Sequence, residues 1–200
     1  NSGILIGYES SSNPWAVDVN IQTNGDLPAG CTIDASNAEL SGAIVLGGNL
    51  DGTIRINKLA WGAVLASDVT GQLTITGDST GPDAALHAQG DMSGAVDIGG
   101  VGDILVDGLF SGQIEVGNGT SSYSLIRIGD GPSSTGSIVI NGKGGVSNAD
   151  GDIVIGTGSP SLPVTFDGSI GIVNCTGSAG GDLNGTITVT GCPTSDPVHI

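Results

Sequence analysis

Hydrophobic and polar residues alternate along most of the chain in a short module that recurs about every ten residues. In each copy an apolar residue, one spacer and a glycine are followed by two aliphatic residues that are separated by another spacer. Clear copies are 40–46 (LSGAIVL), 50–56 (LDGTIRI), 69–75 (VTGQLTI), 92–98 (MSGAVDI) and 110–116 (FSGQIEV). Alternation with a period of two predicts β-strands with one buried face. Glycine, asparagine and aspartate between the copies suit turns, and no segment has a helical period, so an all-β chain is predicted.

The strands are near copies of one another, which favours a parallel β-helix over an antiparallel sandwich because identical aliphatic residues can then stack in register. Grouping every third glycine predicts a three-sided coil of about 30 residues, with a two-sided coil of about 20 residues as the alternative. We expect a single β-solenoid domain of about five to six coils with roughly 4.8 Å between stacked strands. Within it, residues 1–37 are expected to form a looser N-terminal coil or cap, 38–191 the regular repeats and 192–200 a C-terminal tail.

The Asp-Leu-Ser-Gly-x-Ile-x-Ile-Gly module resembles the glycine- and aspartate-punctuated β-solenoid repeats of bacterial cell-surface and secreted proteins. The resemblance covers roughly residues 38–191, which is most of the chain. It implies an architecture and says little about activity, because parallel β-helices include adhesins, phage spikes, fibre proteins and polysaccharide lyases.

The net charge of the chain excludes some classes of binding partner. The 200 residues include 20 Asp and Glu against four Lys and Arg, for a formal net charge of −16. Binding to nucleic acid needs clustered cations, so neither nucleic acid nor an anionic lipid surface is an expected partner. The apolar runs are too short to insert into a membrane. The chain begins at Asn1 and is poor in lysine, from which we expect a mature or excised part of a secreted precursor, extracellular or at the cell surface.

The three cysteines allow one disulfide. Cys175 and Cys192 are the expected pair because they flank one repeat near the C-terminus, which leaves Cys31 over. Their spacing matches no CxxC metal or redox pattern.

Two apolar surfaces are predicted to bind a partner, either another copy of the chain or another surface protein. In the three-sided register one outward row is apolar and includes Val45, Leu105 and Val139. The N-terminal stretch Ile4, Leu5 and Ile6 is strand-like, and neither terminus contains an amphipathic capping helix. The ends are therefore expected either to fold back as their own caps or to be covered by neighbouring copies.

The same register places Arg55, His87 and Glu115 in adjacent coils, where they are expected to form either a charge ladder or a ligand site for a glycan. Asp103 and Asp107 lie in a segment (99–107) with a weak similarity to the calcium-binding nonapeptide. They are candidate Ca²⁺ ligands, and the alternative is that aspartates cap the corners of the coil. No catalytic constellation is recognised and no cofactor is predicted.

These observations predict a non-enzymatic extracellular structural protein, a self-assembling subunit of a fibre, surface layer or adhesin. The first alternative is a carbohydrate-binding or polysaccharide-cleaving β-helix protein. A lesser alternative is an ice-binding protein, suggested by short threonine rows at Thr74, Thr76, Thr186, Thr188 and Thr190.

Overall fold

A computed structural model describes residues 3–6, 15–79, 85–100, 102–117, 124–128, 135–141, 148–155, 169–173, 182–184 and 187–189. These residues form a parallel β-solenoid of about five turns. The predicted all-β solenoid is therefore confirmed. The described ranges contain no helix, and thus none that could span a membrane.

The described part of the chain contains eighteen short strands. In order they are β1 (Gly3–Leu5), β2 (Trp15–Val17), β3 (Ile21–Thr23), β4 (Thr32–Leu40), β5 (Ile44–Leu46), β6 (Thr53–Leu59), β7 (Val64–Ala66), β8 (Gln72–Ile75), β9 (Leu86–Ala88), β10 (Ala95–Ile98), β11 (Ile104–Val106), β12 (Gln113–Gly117), β13 (Ser124–Ile128), β14 (Ser137–Asn141), β15 (Asn148–Ile155), β16 (Ser169–Val173), β17 (Asp182–Asn184) and β18 (Ile187–Val189).

The strands are divided between two parallel sheets. Sheet A has the order β1-β4-β6-β8-β10-β12-β14-β16, with β2 also paired to β4. Sheet B has the order β17-β15-β13-β11-β9-β7-β5-β3, with β18 also paired to β15. A third line of contact consists of isolated single-residue bridges that join Leu27, Leu50, Val69, Met92 and Phe110. A turn passes through a strand of sheet A, a strand of sheet B and one bridging residue.

The number of residues per turn differs from the predicted three-sided coil of about 30 residues. Successive residues of one row in sheet A lie 21, 19, 23, 18 and 24 positions apart, in the order Ile33, Ile54, Leu73, Val96, Ile114 and Ile138. From Ile33 to Ile138 the 30-residue grouping is therefore wrong, and the alternative of about 20 residues is correct. The first and last steps of the row, from Ile4 to Ile33 and from Ile138 to Ile170, are longer, at 29 and 32 residues. Each turn contains two modules rather than three because the third contact is a single bridge and not a strand.

Between Leu27 and Ile138 the buried apolar residues form one core. Ile54, Leu73 and Val96 of sheet A and Val64 and Leu86 of sheet B all belong to it. The bridging residues Leu50, Val69, Met92 and Phe110 are also fully buried. Stacking apolar side chains on one another removes them from water, and each Å² of apolar surface buried stabilises the fold by about 25 cal/mol. The expectation of one shared aliphatic core is confirmed.

A column of glycines allows the coils to stack closely. A Cβ atom on Gly71 would collide with the carbonyl oxygen of Gly52, and Gly94 and Gly112 are restricted in the same way by the preceding coil. No positive φ is recorded at these positions, so the requirement for glycine comes from the close approach of backbones.

Acidic and amide side chains join the coils at one corner. Asp26 accepts a hydrogen bond from the N–H of Asn49 at 2.7 Å, and Asn49 accepts one from Asp68 at 3.2 Å. In the same way, the Asp68 side chain accepts a hydrogen bond from the N–H of Asp91 at 2.9 Å, and the Asp91 side chain accepts one from the N–H of Leu109 at 2.8 Å. We call these side chains the Asx ladder. The corner-capping role predicted for aspartate is confirmed here.

Candidate functional site

The three residues predicted as a ligand site are not brought together. Arg55 lies on β6 in sheet A, where its register neighbours are Asp34 and Thr74. Glu115 lies three strands further along the same sheet, on β12, and His87 lies on β9 in sheet B. The error follows from the 30-residue register, which placed these residues in adjacent coils.

His87 has a different partner from the one predicted. Its Nε2 lies 2.8 Å from Oδ2 of Asp107, on the neighbouring turn of sheet B. The pair is open to solvent, with side chains 30% and 57% exposed. It therefore joins two turns at the surface.

The candidate calcium ligands flank β11. Asp107 contacts His87, while the backbone carbonyl of Asp103 accepts a hydrogen bond from the N–H of Leu86. Over the residues that the structure describes, no group of three or more His, Cys, Asp or Glu side chains could hold a metal ion.

The predicted apolar outer row exists in part, on sheet B. Val45, Leu65, His87 and Leu105 occupy successive turns of one outward row and are all partly exposed. Leu65 was missed because the incorrect register placed it elsewhere. Val139 instead belongs to sheet A, where it pairs with Glu115. The short threonine row is not found at Thr74, which lies between Arg55 and Asp97.

Among the described strands, β1 and β2 form the N-terminal end of sheet A, and both pair with β4, β1 at residues 32–34 and β2 at residues 38–40. Ile4 is paired in register with the buried Ile33, and Leu5 is paired with Asp34. Ile4 is nevertheless 45% exposed and Leu5 is 60% exposed, whereas Ile6 packs partly against the core. An aliphatic row of the interior thus ends at an open surface.

A polar groove of about 550 Å³ follows the glycine column along sheet A. Its floor is glycine backbone and its sides are two rows of mostly hydroxyl and amide side chains. The row on one side is Asp51, Thr70, Ser93 and Ser111, and the row on the other is Thr53, Gln72, Ala95 and Gln113. Within the first row, Thr70 Oγ1 donates a hydrogen bond to Asp51 Oδ1 at 2.7 Å. The described residues that line this groove include no lysine, arginine or histidine.

Sequence reasoning missed this groove, although a signal was present. The residues on both sides of the glycine are small or polar in four of the clear module copies, at 51–53, 70–72, 93–95 and 111–113. With a 20-residue period these positions fall on successive turns and form a continuous surface.

One carboxyl group is electrostatically distinct. The pKa of Asp34 is lowered by hydrogen bonds from the hydroxyl and the backbone N–H of Ser36, and Arg55 lowers it to a smaller extent. The Ser36 N–H lies 3.0 Å from Oδ1 of Asp34. Nearby, Lys58 Nζ lies 3.4 Å from Oε1 of Glu39.

Cys31 is free and half-buried against the core. Cys175 and Cys192 lie outside the described residues, so their disulfide stays a prediction. The C-terminal segment 192–200 also lies outside the described residues.

Comparison of the chain with protein-family models, with curated proteins and with solved structures finds no match.

Proposed function

We propose that this protein is a non-enzymatic structural protein of the cell exterior, a self-associating subunit of a fibre, surface layer or adhesin. The observation that carries the proposal is the open end of sheet A at β1. Ile4 and Leu5 leave aliphatic surface exposed there, at the end of an ordered stack. Exposed strand edges are templates for pairing with another chain.

The architecture supports the same proposal. Each turn of a solenoid contacts chiefly its two neighbours, so the stack has a repeating interface and two ends. The eight strands stacked in line in sheet A lie roughly 4.8 Å apart, so the rod is about 34 Å long. A rod of this length forms an extended structure only when several copies join.

The proposal is tested by sedimentation velocity across a range of protein concentrations, in low salt, in high salt and with Ca²⁺ added. We expect species larger than the monomer to increase with protein concentration and with ionic strength, because a net charge of −16 opposes association and salt screens it. Negative-stain electron microscopy of the same samples should show elongated particles. A monomer under every condition would contradict the proposal.

A second candidate function is binding of a neutral glycan in the polar groove. Hydroxyl and amide side chains on both sides of the groove can exchange hydrogen bonds with sugar hydroxyls. The described lining contains Asp51 and no lysine or arginine, which disfavours an acidic polysaccharide. Binding sites along the groove would repeat at the spacing of the turns, which suits an extended polymer.

A glycan array tests this second candidate. Gln72→Ala and Gln113→Ala should each weaken any binding detected, because both side chains line the groove. Gln22→Ala is the matched control, since Gln22 is also exposed but lies on β3 in sheet B. Equal loss of binding in all three variants, or no binding to any neutral glycan, would reject the groove as a glycan site.

A further inference from the structure

We infer that the open end at β1 pairs with β16 of a second copy, so that copies join head to tail and sheet A continues from one copy into the next. This inference rests on the proposed self-association and specifies its partner strand, its direction and its register.

The first argument is the register of β1. Ile4 is aligned with the row that runs through Ile33, Ile54 and Leu73, all fully buried. Within the described part of the stack, each inner member of this row has a neighbour on both sides, whereas Ile4 has one on a single side and is 45% exposed. A further parallel strand with an aliphatic residue at this position would complete the row.

The second argument is the direction of the backbone groups. The N–H of Ile6 donates to the carbonyl of Asp34 at 2.8 Å, so Ile6 faces β4. Successive residues of a parallel strand direct their backbone groups to opposite neighbours, so the N–H and C=O of Leu5 face the free edge. These groups can bind an incoming strand without disturbing the pairing of β1 with β4.

The third argument is the lack of edge protection. Natural sheets block their edges with lysine, proline, inward charges or bulges, with very short edge strands, or with a covering helix or loop. The strand Gly3–Leu5 is short, but it contains no charged residue and no proline, and it presents Leu5 at 60% exposure. An edge of this composition favours pairing.

The chain itself contains the strand that fits. Among the described strands, β16 is the last of sheet A at the opposite end, where Ile170 pairs with Ile138 and Gly171 pairs with Val139. Placed next to β1 in the same direction, Ile170 would continue the row of Ile4, and Gly171 would lie beside Leu5.

Sheet B continues by the same operation. At the N-terminal end, β3 of sheet B follows β1 of sheet A along the chain. At the other end, β18 of sheet B follows β16 of sheet A. Ile21 begins a row that ends at Ile187, which pairs with Ile153. One turn of a copy would therefore meet one turn of the next copy in both sheets, and a second copy satisfies this geometry better than an unrelated strand.

Two substitutions of one residue test the edge directly. Leu5→Pro removes the N–H at the free edge, and proline is tolerated at an edge position whose N–H faces solvent. Leu5→Thr is the matched control, because it also removes the leucine side chain but retains the N–H. In sedimentation velocity at high salt we expect Leu5→Pro to weaken association at least tenfold and Leu5→Thr to weaken it less than threefold, with equal melting temperatures of the two monomers.

A cysteine pair tests the register. We expect an oxidised mixture of Leu5→Cys and Gly171→Cys copies to give a covalent dimer, because neighbouring strands hold Cα atoms within disulfide range. Val139→Cys replaces Gly171→Cys in the control; it lies one strand further from Leu5, beyond that range, and should give no dimer above the level of the wild-type chain.

The outcomes separate the inference from the proposed function. If the wild-type chain stays monomeric, both fail. If it associates and Leu5→Pro associates equally well, only the β1–β16 pairing fails. A covalent dimer formed equally fast by Leu5→Cys alone would indicate two β1 strands meeting, and would overturn the head-to-tail arrangement.

Discussion

The carboxylate of Asp68 accepts a hydrogen bond from the backbone N–H of Asp91 at 2.9 Å, one turn further along the solenoid. The same relationship joins Asn49 to the N–H of Asp68, with an amide oxygen as the acceptor. The side chain of one turn therefore satisfies a backbone donor of the next. Because aspartate and asparagine both occur in the Asx ladder, the acceptor oxygen matters more than the charge.

The first prediction follows from this hydrogen bond. Asp68→Ala should lower the free energy of unfolding by about 1 kcal/mol or somewhat more, because the N–H of Asp91 loses its acceptor. Asp68→Asn should remain within about 0.5 kcal/mol of the wild type, as a surface change that keeps the acceptor. Urea unfolding followed by circular dichroism measures both variants. Equal destabilisation by the two would show that charge, and not the hydrogen bond, is important.

The second prediction concerns the glycine column. Gly71→Ala should destabilise the protein by more than about 2 kcal/mol, because the new Cβ would collide with the Gly52 backbone and the coils would have to separate. Gly25→Ala is the control, since a Cβ at Gly25 meets nothing within 4 Å and no positive φ is recorded there. The control should be neutral or stabilising by up to about 1 kcal/mol. A stable, normally unfolding Gly71→Ala variant would refute the close-approach explanation.

The third prediction concerns the bridging line. Phe110 is fully buried and its ring packs against the position of Gly136 on the next turn. Phe110→Ala should cost about 3–5 kcal/mol through lost burial and the remaining cavity. Trp61→Ala removes a larger side chain that is 63% exposed, and should change stability by no more than about 0.5 kcal/mol. Thermal unfolding of the pair tests whether burial, and not aromatic size, determines the loss.

The fourth prediction concerns pH. The folded-state pKa of Asp34 lies below its usual value of 3.8 because Ser36 donates two hydrogen bonds to the carboxylate. A lowered pKa stabilises the fold above the unfolded-state pKa, and this contribution is lost as pH falls through the folded-state pKa. Between pH 5 and the acid limit, wild-type stability should therefore fall more steeply than that of Asp34→Asn.

The cause of this shift can be tested by NMR titration of Asp34. Ser36→Ala should raise the Asp34 pKa towards 3.8 by more than Arg55→Gln does, because the serine contributes the larger effect. A larger change in the arginine variant would assign the shift to charge instead of hydrogen bonding.

Fold class could be predicted from the sequence because two local signals agree. Alternation of aliphatic and polar residues, as in Ile54-Arg55-Ile56, predicts a strand with one buried face, and near-identical copies predict stacking. Both follow from the geometry of a single strand. They do not depend on which copy is the neighbour in space.

The number of residues per turn could not be predicted from the sequence, because the modules of the two sheets resemble each other. The copies beginning at Leu50, Val69, Met92 and Phe110 are one turn apart in sheet A, whereas the equally clear copy 40–46 places its strand β5 in sheet B. The clarity of a copy does not show which sheet it belongs to, and grouping every third copy placed three in a turn. The proposed Arg55, His87 and Glu115 site failed for that reason alone.

The Asx ladder also has a consequence for chain length. Joining Leu50 directly to Thr70 would remove residues 51–69, which make up one turn. The sequence at the junction would still be an apolar residue followed by a hydroxyl residue, glycine and an amide residue. Asn49 would then replace Asp68 as the acceptor for the backbone N–H of Asp91. Deletion of this whole turn would thus leave an acceptor for the backbone N–H of Asp91. The length of such a solenoid can change by deletion or duplication of a turn, while the composition of its core stays the same.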